Sequence, residues 1–495
     1  MSTHILSKST YMRGIKCSKS LYLNKHGKSL RDEMSDSQEF IFEQGTEVGL
    51  LAQELFPGGI DCSPESFYDY GPSIQKTKEL IAKGQQVIYE ASFQFDGVLC
   101  AMDVLVKSGD GYKAFEVKSS TSVSDTYIQD ASLQYYVITN SGVKLKDISI
   151  VYINNEYVKK GKIDIKKLFN CDSILQEVLQ LQEEVPENIK VFKKILASKN
   201  VPEADIGPHC GSPYPCDFMG HCWKHVPEYS VFDISRLRSE KKYEMYNRGV
   251  ISFEQITQDL QEEFLNQKQI IQVRSELEQT IVIEKNPIKE FIDDLKFPLY
   301  FLDFETMQTA IPLYDNCRPY QMLVFQYSMH KMEKSGAELK HMEYLAKPNE
   351  GDPRIKFIEQ LIIDCESKGD ILTYNIAFER TRVNELIDDF PKYEKHLKKI
   401  IDRMKDLMIP FQQRWYYKPE MRGSYSIKKV LPALVPELSY GDLEIQEGGT
   451  ASAVFSQMAS GKFEGDVENT RKALLAYCHL DTFAMVKLYG KLKEL

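Results

Sequence analysis

The stretch ASFQFDGVLCAMDVLVKSGDGYKAFEVKSST carries two hydrophobic runs separated by SGDG, the pattern of two antiparallel strands joined by a tight turn. Its glycines and Asp110 supply the turn geometry. Much further along, FPLYFLDFET reads as a strand, and alternating strand and helix signals follow it to a long helical segment, VENTRKALLAYCHLDTFAMVKLYGKLKEL. Between these regions SRLRSEKKYEMYNR and QDLQEEFLNQ are polar and helical. The pattern predicts an α/β chain in three parts: a domain over residues 1–227 that ends in a cysteine-rich stretch, a helical connector over 228–288, and an α/β domain over 289–495.

Length agrees with several parts, because 495 residues exceed what one hydrophobic core usually serves. No apolar run approaches the roughly 20 residues that cross a bilayer, so no membrane span is expected. The N-terminal MSTHILSKSTYMRG lacks the apolar core of a secretory signal, which predicts a cytoplasmic protein with reduced thiols. The net charge of −10 argues against sequence-independent coating of nucleic acid. Lysine-rich stretches at 8–31, 159–167 and 392–405 can still steer a polyanion locally, or serve only as solvated faces.

Chemistry concentrates first on the hairpin. Residues two apart on a strand share a face, so Glu116 and Lys118 point the same way, and Asp103 on the preceding strand can reach them. Two carboxylates and an ammonium facing together are costly to bury unless they hold a cation and polarise a water. These residues resemble the motif of PD-(D/E)XK nucleases. QYYV on the following helix is similar to the glutamine-tyrosine motif of their RecB-like branch, which adds Gln134 and Tyr135. That branch often carries a metal-binding histidine on an early helix. GTEVGLLAQELF offers Gly45 and Gly49 but no histidine, with Glu47 as a weak substitute. The resemblance implies a restriction-endonuclease-like fold and Mg2+ or Mn2+ held by Asp103 and Glu116.

Cys210, Cys216 and Cys222 are spaced C-x5-C-x5-C, with Cys17 far upstream in RGIKCSKSLYL. One cysteine before the nuclease core and three after it resembles the iron–sulfur nucleases of the CRISPR-associated exonuclease and AddB type. That resemblance implies a structural [4Fe–4S] cluster on all four, while zinc on the same thiolates is the alternative. Cys62, Cys100, Cys171, Cys317, Cys365 and Cys478 read as small buried hydrophobes.

YFLDFET places Asp303 and Glu305 on one strand face, and Tyr477 and Asp481 stand four apart on a helix. D-x-E with Y-x3-D resembles the DEDD exonucleases of the RNase H-like fold, in the variant where a tyrosine positions the attacking water. In TYNIAFER, Glu379 stands where that family usually has aspartate. FLDFETM, RPYQ, FQYS, YNIAFE, GSYSIKKVLPAL and YCHLDTFAM also resemble a bacterial domain-of-unknown-function family fused behind iron–sulfur nuclease domains. Asp303, Glu305, Glu379 and Asp481 would hold two metal ions. Ser424 and Lys428 would border the site, as a phosphate contact or as a plain helix cap with an exposed lysine.

NRGVISFEQIT reads as a helical spacer with a weak likeness to half of a helix-hairpin-helix. The expectation is a two-headed, metal-dependent nuclease acting on DNA, single-stranded or at ends. The alternatives are an RNA-processing enzyme and a nucleic-acid-binding protein with a degenerate exonuclease fold.

Overall fold

A computed structural model describes residues 5–66, 69–366 and 368–495. The fold is mixed α/β, in two units: Met1–His225 with Thr309–Tyr320, and Val226–Gln308 with Gln321–Leu495. No helix among the described residues is long and apolar enough to cross a membrane.

The first unit is built on a seven-stranded sheet. Its strands are β1 (Leu6–Ser7), β2 (Ile60–Asp61), β3 (Val87–Phe95), β4 (Val98–Ser108), β5 (Gly111–Lys118), β6 (Leu145–Ile153) and β7 (Phe169–Ser173). They run in the order β2-β3-β4-β5-β6-β7, with β1 alongside β4. β4 and β5 form the predicted hairpin, closed at Ser108↔Gly111 with Gly109 at φ +59°. β5 and β6 are parallel, and a parallel pair needs a crossover, which the helix Asp125–Asn140 supplies. On one side, Met102, Ala114, Ile148, Leu133 and Val137 join a buried apolar cluster. On the other, Val151 and Ile153 pack with Val48 and Ala52 of the helix Asp36–Ala52.

The second unit contains a two-stranded ladder of β8 (Val282–Ile283) with β14 (Tyr416–Tyr417). Its main sheet has five strands, β9 (Leu299–Met307), β10 (Leu323–Met332), β11 (Leu339–Leu345), β12 (Ile371–Thr373) and β13 (Met404–Asp406), in the order β11-β10-β9-β12-β13. β9, β10 and β11 are antiparallel, whereas β12 and β13 continue parallel to β9. Alternation along β9 sends Tyr300, Leu302 and Phe304 into a cluster with Phe357, Leu361, Val383 and Leu386. Those partners come from the helices Arg354–Asp364 and Ala377–Asp389. The opposite face of β9 meets the helix Val467–Lys493, where Phe301 packs on Tyr489.

Residues 228–288 are helical as expected, with helices at Ser239–Asn247, Gln258–Phe264 and Gln267–Glu278. They are not a separate connector. Val231, Ile234, Met245, Phe253 and Val273 form a core of their own, and the segment belongs to the second unit. Fully buried Gln272 ties it together, accepting from the Ser235 N–H and donating to Tyr229 Oη and the Asp233 carbonyl. The boundary expected after 227 falls after His225, and Thr309–Tyr320 returns to the first unit.

Phe357 is fully buried and meets the Phe304 and Tyr327 rings edge-on at 5.1 and 5.3 Å. Phe357→Ala is expected to cost about 3–5 kcal/mol in denaturant unfolding. A cost below about 1 kcal/mol would contradict this packing.

Candidate functional site

In the first unit the candidate site lies where two strands part. The β4–β5 ladder stops at Val104↔Phe115, while β4 stays paired to β3 and β5 to β6. Side chains take over the backbone groups this exposes. The Val117 N–H donates to Asp103 Oδ2 at 2.6 Å, and Gln134 Nε2 donates to the Ala101 carbonyl at 2.9 Å. Gln134 Nε2 also donates to Glu116 Oε2 at 2.7 Å. Lys118 Nζ donates to Glu116 Oε1 and to Asp130 Oδ2, each at 2.8 Å. Four of the five residues predicted here, Asp103, Glu116, Lys118 and Gln134, therefore converge. Tyr135 does not join them and packs against the apolar core. Glu47 is half-buried on the helix Asp36–Ala52, whose Gly45 faces Ser119 just past β5.

Three further charged groups enter this site. Lys8 follows β1 and donates from Nζ to Glu116 Oε1 at 2.6 Å. Asp130 lies one helical turn before Gln134, a spacing that could have revealed it. Glu90 interrupts the β3–β4 register opposite Asp103, in a left-handed conformation at φ +51°. Enclosure, then the neighbouring Glu116 carboxylate, pushes Asp103 up to about 8. Burial would raise Glu116 too, but Lys118 and Lys8 outweigh it and hold Glu116 down to about 2.

In the second unit Asp303 and Glu305 lie on the β9 face turned toward the helix Val467–Lys493. One ligand atom each from Asp303, Glu305 and Cys478 lie within 4.8 Å of one another. Cys478 is thus more than a core filler: its thiol lies 3.8 Å from Asp303 Oδ2. Tyr440 Oη donates to Asp481 Oδ1 at 2.6 Å. A Cβ at Gly448, which opens the helix Gly448–Ser460, would stand 3.6 Å from Glu305 Oε2 and 3.8 Å from Tyr477 Oη. Lys428 Nζ lies 5.3 Å from the Tyr477 ring and donates to the Gln446 carbonyl at 2.6 Å. Ser424 accepts from the Ser426 N–H beside the helix Ile427–Leu434.

Glu379 enters from the first turn of the helix Ala377–Asp389, only 2% exposed, and its Oε2 has no hydrogen-bond partner. Burial first, then repulsion from Asp481, pushes Glu305 up to about 8. Burial, followed by Asp406, does the same to Glu379. Asp481 rises to about 6 by burial, against its Tyr440 hydrogen bond and Lys428. Asp303 is pushed well up by burial and then by Asp481, Glu305 and Glu379. Tyr440, Asp406 and Gly448 were missed because no local motif marks them.

The four predicted cysteines line a single cavity together with Lys16 and His209. Cys17 sits at the break between the helices Lys8–Lys16 and Ser18–His26. The later segment is pinned to these helices by Arg13, which donates to both Asp217 carboxylate oxygens at 2.5 and 3.0 Å, and by fully buried Phe218. Among the described residues, no three of these sulfurs fall into a group within 4.8 Å. Burial and then the other three thiols raise Cys222 above its ordinary value. Of the remaining six, Cys62, Cys100, Cys317, Cys365 and Cys478 are buried, but Cys171 is exposed at the sheet's outer strand β7, a correction to its expected burial.

Residues 300–426 match a family described as "Domain of unknown function (DUF2779)". That match contains Asp303, Glu305 and Glu379 and stops before Tyr477 and Asp481. An uncharacterized protein of Ureaplasma parvum is 28% identical over 227 residues, covering 41% of this chain and 32% of the relative. An uncharacterized protein of Mycoplasma pneumoniae is 25% identical over 230 residues, 42% of this chain and 34% of the relative. The chain thus spans about a third of the length of these relatives.

A carboxyl with a raised folded-state value favours the fold only while protonated. Without divalent cation, the second unit should therefore lose stability as pH rises from about 4, the unfolded carboxyl value, through about 8. Mg2+ or Mn2+ should reverse the loss, and Glu305→Gln should shrink it in pH-dependent thermal melts. A metal-free melting temperature that climbs over the same interval would contradict the assignment.

Proposed function

We propose that the chain is a metal-dependent nuclease that hydrolyses phosphodiester bonds in DNA, single-stranded or at ends, with one centre in each unit. In this reading the first unit has a PD-(D/E)XK restriction-endonuclease-like fold and the second an RNase H-like exonuclease fold. The observation that carries it is the meeting of Asp103, Glu116, Lys118 and Gln134 where β4 and β5 separate.

The donor sets fit hard divalent ions. They are oxygen-rich, desolvated and mutually repulsive, and the orphaned Glu379 Oε2 has no protein partner. In the first unit Asp103 and Glu116 would hold Mg2+ or Mn2+. In the second, Asp303, Glu305, Glu379 and Asp481 would do so. Such an ion supplies Lewis-acid polarisation of the phosphate and a water acidic enough to attack. The chain's own groups do the rest. Gln134 fixes the Glu116 carboxylate, and Lys118 places an ammonium where negative charge develops on the phosphate. Tyr477 orients the attacking water beside Glu305, and Lys428 offers a cation at the rim.

The cysteine cavity suits a [4Fe–4S] cluster, with a single zinc ion on the same thiolates as the alternative. The four cysteines share one cavity. Cys17, Cys210, Cys216 and Cys222 would hold the cluster in a structural role, clipping the N-terminal helices to the later segment.

On labelled single-stranded DNA with Mn2+, Asp103→Ala and Lys118→Ala should each remove one activity by roughly 100-fold or more, and Asp303→Ala a separable one. Matched RNA should be cut more slowly. Cleavage by an Asp103→Ala/Asp303→Ala variant at the parent's rate would overturn the proposal. Anaerobically purified protein should be brown with broad visible absorbance, lost in Cys216→Ser. A colourless, zinc-containing parent would refute the cluster.

A further inference from the structure

The second unit holds a set of metal-ligand side chains that the nuclease reading leaves unused. His330 on β10 stands directly across the ladder from His341 on β11, and His479 reaches both from the helix Val467–Lys493. The ring centroids lie 4.6 Å apart for His330 and His341, 4.8 Å for His330 and His479, and 4.6 Å for His341 and His479. One nitrogen from each ring lies within 4.8 Å of the other two. Three imidazoles this close would repel one another strongly if all were protonated, an arrangement that a shared cation would relieve.

Buried hydroxyls engage one nitrogen of His330 and one of His341. Thr482 Oγ1 donates to the His479 carbonyl at 3.1 Å. It is also hydrogen-bonded with His330 Nδ1 at 2.8 Å and with Ser328 Oγ at 2.7 Å. Ser328 Oγ in turn is hydrogen-bonded with His341 Nε2 at 3.0 Å. These contacts occupy His330 Nδ1 and His341 Nε2 and leave His330 Nε2 and His341 Nδ1 outside the hydroxyl chain. His330, Ser328 and Thr482 are all 3% exposed or less, so the hydroxyl chain is shielded from water. Glu343, with Oε2 3.9 Å from His341 Nε2, adds an outer carboxylate. Metal-binding imidazoles characteristically give their second nitrogen to an outer partner of this kind, which sets the tautomer and the ring plane.

We propose that His330, His341 and His479 bind one zinc ion that clips the β10–β11 hairpin to the C-terminal helix. Imidazole nitrogen selects zinc and similar transition ions over Mg2+, whereas the carboxylates of Asp303 and Glu305 select hard ions. The two sites on this helix therefore sort metals by ligand type. The role is structural: the ion fixes the turn of helix that also carries Cys478 and Asp481.

The test is a Co2+ titration of the full chain with its cysteine-bound cluster in place, read as a difference spectrum, with Co2+ as a coloured substitute for zinc, followed by zinc competition. The parent should show a visible tetrahedral cobalt band without the near-ultraviolet thiolate charge transfer that cobalt on the cysteines would give. His341→Ala, at a side chain 27% exposed, should lose that band and weaken zinc binding by more than roughly 100-fold. Thr482→Val, which removes only the outer hydroxyl, should weaken it by roughly 10–100-fold. Asp303→Asn should keep the band, which separates this site from the nuclease reading. A band of unchanged intensity and affinity in both His341→Ala and Thr482→Val overturns the proposal, as does its loss in Asp303→Asn alone.

Discussion

Like-charged carboxylates held out of water and facing one another are the constraint around which both units are arranged. A carboxylate loses several kcal/mol of hydration when enclosed, and a second beside it adds repulsion, so such groups persist only where something compensates. In the first unit two ammonium groups, Lys8 and Lys118, meet Glu116 and Asp130 directly. In the second, Lys428 is the cation that acts on Glu305 and Asp481, and it lies at the rim. On the proposed reading the second unit would therefore depend more on an added cation than the first.

The backbone takes part in this arrangement. Parting β4 from β5 leaves an N–H at Val117 and a carbonyl at Ala101 that a continuous ladder would have paired, and Asp103 and Gln134 satisfy them. The side chains that would do chemistry thus also repair the sheet, which couples the site's geometry to the fold. In the second unit strand alternation does the corresponding work. Tyr300, Leu302 and Phe304 are fixed in the apolar layer, so Asp303 and Glu305 must face the helix that carries Tyr477 and Asp481.

What was legible in the chain follows from how local each signal is. The hairpin, its turn at Gly109 and Asp110, the D-x-E strand and the pairing of four cysteines across nearly 200 residues rest on short patterns, and the structure brings those residues together. Lys8 was not legible, because its contact with Glu116 spans 108 residues and no motif marks it. Glu90 depends on a local break in register, and Tyr440 lies in an irregular segment. Polarity misled the reading of 228–288: its apolar residues are sparse, yet Val231, Met245 and Phe253 still gather into a core. Tyr135 followed from resemblance alone, and packing claims it instead.

The most direct measurement is Mn2+ binding to the full chain by titration calorimetry, run on the parent, Asp103→Asn and Asp303→Asn. If buried carboxylates grip divalent ions at two independent places, each variant loses a different part of the parent's binding and keeps the rest. Binding that is absent from the parent, or identical in all three proteins, would contradict the account.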